Sequence, residues 1–468
     1  MHGGAVVRLQ ENSEWVAENF GGCDLKHVKR NERLQIVANH LIAAPEASLP
    51  QQNNWSDLKA AYRLFQRPEV TFEAVAQCHW QRIRNTVPGR YLCINDTTDI
   101  DHTTRPATTG LGILGNGFTR GVQLHSCLVV NSSLGTVEGQ AGALLNYRRH
   151  PPENETRAQR LRRPRESEIW GRLVAQVGTP PAGSQWIHIF DRAGDNFEAL
   201  CHVVKNQCDW IIRAGQLHRT VIDSNGNLRP LCEAIQQAEE LGGYELILRS
   251  RPGQAARTAT IRITRTSVAL TRPAGHSPYV KNCGLTLIET NVVVVQEINA
   301  PRNVTPVCWV LMTSLPVETF EFAWQVVSDY ENRWLIEEYH KVLKTGCSIE
   351  RHALRTADRL EPLIGLISVI GVRLFQLKTY AKVKPETKAS RRVPSTWLEA
   401  LRFLRPRISI TGLTIGTFFR ELAMLGGFLG RKHDGEPGWQ TIWRGFEKLQ
   451  MTIKILHSSR RTDRQKRG

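Results

Sequence analysis

Paired cysteines are missing from this chain of 468 residues. Its ten Cys are scattered, with no CxxC pair and no Cys/His cluster at zinc spacing. That pattern excludes a disulfide framework or a zinc ribbon and predicts reduced thiols in a cytosolic protein. Long apolar runs are also scarce. The most apolar stretch, Leu363 to Val372, ends at Arg373, whereas spanning a bilayer takes about 20 residues. It predicts a core helix and no membrane partner. The N-terminal MHGGAVVRLQENSEW has no apolar stretch of the secretory kind. Internal repeats are absent. Charged residues make up 22% and hydrophobic ones 41%, which excludes wholesale disorder. The length predicts two to four structural units.

What the chain has in excess is positive charge. Lys and Arg number 61 against 44 Asp and Glu, a formal net charge of +17. An excess of that size favours a polyanionic partner, and without a membrane segment that partner is nucleic acid. The excess is uneven. Residues 1–70 are balanced, 71–349 carry +3, and 350–468 carry +14. The balanced segment still holds a local cluster, Lys26, Lys29, Arg30 and Arg33, at helical spacing. It reads either as a solvated helix face or as a DNA contact. A second basic strip, RAQRLRRPR at 157–165, predicts a mobile loop, and the tail RRTDRQKRG predicts disorder.

Residues 10–85 show apolar positions at helix spacing (WVAENF, LQIVANHLI, LKAAYRLF, FEAVAQCHW), punctuated by Pro45, Pro50 and Pro68. The texture changes at Tyr91. The order becomes strand (YLCIND), a Thr- and Gly-rich loop, and two strands (VQLHSCLVVNS, TVEGQAGALLNY). Helix (ESEIWGRLVAQVG), strand (QWIHIFD), helix (NFEALCHVVKN) and strand (CDWIIRA) follow. Hairpin-joined strands followed by strand–helix crossovers predict an α/β mixed sheet, in the element order of a ribonuclease-H-like fold. Residues 215–322 predict a largely β insertion, and a closing helix is expected from Phe322 to Lys344.

Asp96 and Asp191 each end a predicted strand, a position that lines sites but also favours turns. The stronger signal is SDYENRWLIEEYHKVLKTG. On one helix at 100° per residue, Tyr330, Arg333, Glu337 and Lys344 share a narrow face. A polar stripe over four turns is unusual for a helix that also has to face a core. The bland alternative is a solvated face laced by Glu337–Lys341 and Glu337–Lys344 pairs. His188 and His340 predict core or face histidines rather than general bases.

The spacing Tyr330, Arg333, Glu337, Lys344 resembles the signature of the insertion-sequence-four family of bacterial DDE transposases. The resemblance extends to AYRLFQRPEVTFEAV, INDTTDIDH, FDRAGDNFEAL, LGGYEL, TPVCWVLMTSLPVET and LGGFLGRKHDGEPGWQTIWRGFEKLQ, in family order from about residue 10 to about 450. The segment before Trp15 and the stretch Tyr380 to Ile408 depart from it. The resemblance implies a ribonuclease-H-like mixed-sheet catalytic core at 71–369 with the β insertion at 215–322. A helical DNA-binding domain (1–70) and a helical dimerisation region with a basic tail (370–468) flank it.

It also implies that Asp96, Asp191 and Glu337 are the catalytic carboxylates and hold two Mg2+ ions, with Mn2+ able to substitute. Hard oxygen ligands suit such ions, and a metal pair suits phosphodiester chemistry. Tyr330, Arg333 and Lys344 would position DNA, Trp309 would stack on a flipped base, and Arg213 would contact DNA near it. Lys26, Arg30 and Arg33 are candidate contacts to the transposon end. The implied activity is cut-and-paste transposition by a homodimer acting on double-stranded DNA at terminal inverted repeats, then on target DNA, in the bacterial cytoplasm at the nucleoid. The rivals are a ribonuclease-H-like nuclease without strand transfer and a DNA-binding protein without catalysis.

Overall fold

The structure, a computed structural model, describes residues 9–465 except 53, 116, 157–158, 160–162, 164, 249–254 and 432–433. Most of the basic strip at 157–165 therefore lies outside the described residues.

The N-terminal region to Arg84 is helical, as the periodicity predicts: α1 (Asn12–Phe20), α2 (Val28–Ala43), α3 (Leu49–Gln52), α4 (Trp55–Leu64) and α5 (Phe72–Arg84). Short polar side chains start these helices. Asn54 accepts from the Asp57 amide and Thr71 from the Ala74 amide, meeting donors that have no partner in the first turn. Apolar faces of α1, α2, α4 and α5 merge into one core with the C-terminal helices.

The central region is α/β, a large mixed sheet flanked by helices. Its strands are β1 (Arg90–Asp101), β2 (Gly112–Leu114), β3 (Thr119–Asn131), β4 (Val137–Asn146), β5 (Gln185–Phe190) and β6 (Asp209–Arg213). β1 pairs antiparallel with β3 and parallel with β5, and β5 pairs parallel with β6. The crossover between β4 and β5 carries α6 (Glu168–Val177), and that between β5 and β6 carries α7 (Phe197–Lys205).

The segment expected as an insertion supplies β7 (Thr220–Asp223), β8 (Leu228–Pro230), β9 (Glu239–Leu248), β10 (Arg257–Thr271), β11 (Leu287–Ile298) and β12 (Cys308–Thr313). It does not form a separate sheet. β12 pairs antiparallel with both β6 and β11, so core and insertion strands join in one sheet, ordered β2-β3-β1-β5-β6-β12-β11-β10-β7-β8. The hydrogen-bonding edge that β6 would otherwise expose is thereby covered.

The closing helix is interrupted. It comprises α8 (Phe320–Glu331), a tight turn at Asn332–Arg333, α9 (Trp334–Lys341) and a π-helical turn over Val342–Gly346. The next helix, α10 (Ala357–Tyr380), is long and apolar enough to cross a membrane, yet 94% of its apolar window is buried within the protein. It is the expected core helix, packed on α5 and β4. Position 369, the sequence-based limit of the catalytic region, falls in its middle.

Gly371 lets α10 approach the π turn closely. A Cβ there would lie 2.4 Å from Leu343 Cδ2. Arg373 is fully buried on α10, its guanidinium 5.8 Å from the ring centroids of both Trp15 and Trp397 and its Nη2 donating to the Gln10 carbonyl. Burial holds its pKa down at about 10. Helices α11 (Ser395–Leu404), α12 (Ile415–Leu425) and α13 (Trp439–Gln465) complete the chain. The last helix covers the first residues of the predicted disordered tail. Residues 466–468 lie outside the described set.

Candidate active site

Asp96 lies within β1, not at its end. β1 keeps its antiparallel ladder with β3 as far as Asp101↔Gly121, whereas its parallel ladder with β5 is last seen at Ile94↔Ile189. Asp96 thus sits where one neighbour leaves and the other stays. Continuing the β1–β5 register brings it level with Asp191, the residue after β5. A short apolar run could not reveal this, because the strand's length is set by its antiparallel partner.

Asp191 caps a single 3-10 turn, its Oδ1 accepting from the amides of Ala193 and Gly194 at 2.8 and 3.3 Å. That turn fixes the carboxylate at the carboxyl end of a parallel strand, the usual location for ligand sites in such sheets. Among the described residues, Asp191 Oδ2 makes no protein hydrogen bond.

The straight-helix reading of the Tyr–Arg–Glu–Lys stripe needs correcting. The amides of Asn332, Arg333, Leu335 and Ile336 each bond a carbonyl three residues back, and the Cys347 amide bonds one five residues back. The chain is overwound before Glu337 and underwound after it, so a uniform 100° step fails on both sides. π turns recur at functional sites. The consequence is a redistribution of the four residues. Tyr330 turns inward, 4% exposed, and packs edge-on against Trp309 at 5.5 Å. Burial raises its pKa to about 12. Lys344, in the π turn, reaches Glu350 at 3.8 Å and shares a cleft of about 560 Å3 with Asp96, Asp99 and Trp170.

Arg333, at the junction, points at the acids. Its Nη1 lies 3.4 Å from Asp96 Oδ2, and its Nη2 donates to Glu337 Oε1. Glu337 sits in the first turn of α9. Asp96 is buried enough that its pKa rises to about 6. Burial is the main cause, the nearby charges of Asp191 and Glu337 add to it, and the Thr97 amide and Arg333 oppose it. Of the three carboxylates predicted from sequence, Asp191 and Glu337 are therefore each close enough to act on Asp96. They are not drawn together as a ready-made site: among the described residues, no group of three or more His, Cys, Asp or Glu stands close enough to hold a metal ion.

The remaining predicted residues divide by place. Arg213 ends β6, donates to the Cys308 carbonyl at 3.2 Å, and lies near Arg192 and Arg333, whose charges help burial to lower its pKa. Trp309 on β12 is half-buried. Lys26, Arg30 and Arg33 lie far from this cluster in the chain. They do not share a helix, since Lys26 precedes α2 with φ of 59°. All three have acid partners: Lys26 with Asp24 at 2.6 Å, Arg30 with Glu69 at 3.3 Å and Arg33 with Asp57 at 2.5 Å. The fourth member, Lys29, pairs with Glu32 at 2.9 Å.

His188 and His340 are buried and held neutral, with burial pushing both pKa values to about 3. His188 contacts Asn95 at 3.0 Å. Sequence reasoning missed two residues. Arg192 is exposed directly after Asp191, and among the described residues it has no ion-pair partner. Trp334 is 60% exposed three residues before Glu337, in a second cleft of about 440 Å3 that Glu337 also lines. The signal for both was adjacency to a predicted carboxylate.

Residues 12–70 match a family described as a transposase DNA-binding domain. The match spans α1 to α4, so the chain carries a DNA-binding domain of the transposase kind.

Proposed function

We propose that the protein is a cut-and-paste DNA transposase of the DDE type, with a ribonuclease-H-like core whose carboxylates are Asp96, Asp191 and Glu337. The observation that supports this reading is that Asp191, after β5, and Glu337, on α9, each lie near enough to the buried Asp96 of β1 to resist its charging, in a chain that also carries a transposase DNA-binding domain.

The donor set fits divalent metal chemistry. All three groups are hard oxygen ligands of the type Mg2+ and Mn2+ take, and a cation already bridges two of them. Asp96, Asp191 and Glu337 would hold two such ions, which when bound lower the pKa of water and offset charge on a phosphodiester. The chain's own groups do the rest. Arg192, Arg213 and Arg333 grip phosphates, a bidentate task for which guanidinium is suited. Lys344 adds a point charge in the Asp96 cleft. Trp309, steadied by Tyr330, offers a ring on which a displaced base stacks.

The sequence of events is hydrolysis of one strand at a transposon end and attack of the freed 3′-hydroxyl on the opposite strand to close a hairpin. Hydrolysis of that hairpin and attack of the same hydroxyl on target DNA follow. The substrates are double-stranded terminal repeats and target DNA, held by a homodimer in the cytoplasm at the nucleoid.

The test incubates the protein with Mg2+ and DNA carrying the inverted repeats that flank its coding region, then resolves products on a denaturing gel. Hairpins and joined strands are expected. Nicks alone would assign the protein to the ribonuclease-H-like nucleases, and binding without cleavage to the non-catalytic DNA-binding proteins.

A further inference from the structure

Arg333 stands where a metal-binding acid pair should be open. Its guanidinium forks between Asp96 on β1 and Glu337 on α9, two carboxylates that nothing else in the described structure bridges. The side chain is only 17% exposed, so this is not a casual surface pair. An ion at the ordinary Mg2+–oxygen distance of about 2.1 Å from both acids would lie within roughly 4 Å of that guanidinium. Two like charges cannot share so small a space in a half-buried site.

The surroundings supply a reason for the guanidinium to leave. Arg213 lies close enough that Arg192 and Arg333 both disfavour its charge. Arg192 is exposed and has no acid partner among the described residues. Three arginines near enough to act on one another make a cationic cluster suited to an anion. A DNA phosphate arriving there relieves their mutual repulsion and competes with the carboxylates for Arg333. Arg333 is also well placed to move. It sits in the tight turn between α8 and α9, outside the regular hydrogen-bonding of either helix.

We propose that Arg333 is a positioning residue that keeps Asp96 and Glu337 facing each other while excluding a divalent cation, and that bound DNA phosphate draws it away so that metal enters only with substrate. This rests on the reading of Asp96 and Glu337 as metal ligands. It makes the resting protein poor at binding metal and couples metal affinity to DNA, so that hydrolysis is withheld until an end is in place.

The experiment measures Mn2+ binding to the full-length protein by the loss of the free-ion paramagnetic resonance signal, with and without a short DNA duplex. The wild type should bind Mn2+ weakly alone and at least tenfold more tightly with duplex. Arg333→Gln, close in size and uncharged, should bind Mn2+ tightly without DNA, with most of the duplex effect gone. Arg333→Lys should behave like the wild type. If Arg333→Gln binds Mn2+ no better than the wild type while Asp96→Asn abolishes binding, the exclusion role is wrong and the metal site stands. If Asp96→Asn leaves Mn2+ binding unchanged in the presence of duplex, the metal-site reading itself fails and the inference falls with it. Circular dichroism of Arg333→Gln guards against misfolding, and Arg333→Met serves as the second uncharged variant on the same criteria.

Discussion

Two groups of basic residues in this protein are paired with acids, and the pairs behave differently because their surroundings differ. In the N-terminal domain, Lys26, Lys29, Arg30 and Arg33 each meet one carboxylate at the surface, with side chains from about a quarter to three quarters exposed. Water screens such pairs, and each contributes little to stability. At the centre of the sheet, Arg333 meets two carboxylates at once in a half-closed site, beside an Asp96 that burial already resists charging. There, on the proposal above, the same chemistry would decide whether the site is open or shut. Net charge does not distinguish the two. The N-terminal domain is neutral because its basic and acidic residues are equal in number, and four of its cations are paired in the fold. The central site differs because Arg333 holds two acids there while Arg192, among the described residues, holds none.

The largest effect expected is at the central site. Glu337→Gln keeps the side chain's size and removes its charge, and should slow strand cleavage by at least about 10^3-fold. Denaturing gels of end-containing DNA give the rate. A fall of less than tenfold would separate the site from the chemistry and dissolve the contrast with the surface pairs.

Trp309→Ala comes next. Loss of one base-stacking platform is worth about 1–3 kcal/mol, so hairpin yield should fall by roughly tenfold or more while the first nick changes less. Equal loss in both steps would mean that Trp309 only supports Tyr330, which it touches edge-on.

A pH effect sharpens the comparison from the stability side. The core beneath the site buries neutral histidines, including His102 and His352, both with pKa values lowered to about 4 mainly by burial. Their unfolded values lie near 6.5, so below that pH the unfolded chain takes up protons the folded one refuses. Stability is complete above about 6.5 and falls as pH drops toward 4, by up to about 2 kcal/mol per histidine at pH 5. The thermal midpoint should therefore drop between pH 7.5 and 5, and His352→Gln should reduce that drop. An unchanged pH profile would place the acid-sensitive group elsewhere.

Much of this was legible in the sequence, and what was not has a physical cause in each case. Short apolar runs located β1, β3, β4, β5 and β6, whose middles the sheet buries on both faces, and helix periodicity located the N-terminal helices, each of which buries one face. Asp191 was legible as a strand end because β5 does stop there. Asp96 was not, since the β1–β3 ladder continues past it through long-range pairing that no local pattern encodes. The stripe from Tyr330 to Lys344 was found by spacing, but its phase was wrong. Overwinding at Asn332 and the π turn at Val342–Gly346 depend on packing against α10 and β1, which one helix's sequence does not contain. The joining of insertion and core into one sheet depends on β12 pairing with β6, some hundred residues away. The basic cluster misled for a related reason. Arg33 finds its acid 24 residues downstream, on another helix.

That last pair gives the smallest effect expected and the most direct probe of the surface half of the comparison. Asp57 holds Arg33 across the α2–α4 contact, and the pair pulls the Asp57 carboxyl below its ordinary pKa. Asp57→Asn leaves the Asn54 cap on the Asp57 amide in place, because that bond uses backbone. It removes a first-turn acid from α4, a small loss to the helix. In exchange it frees one cation in the segment matched to transposase DNA binding. Affinity for any duplex should rise by about threefold at moderate salt, and the slope of log affinity against log salt should steepen by about one counterion. If neither changes, Arg33 faces away from DNA and the cluster is the solvated helix face that its spacing equally allowed. If both change, the domain's acids give up their partners to phosphate, as the proposal has Arg333 do in the site.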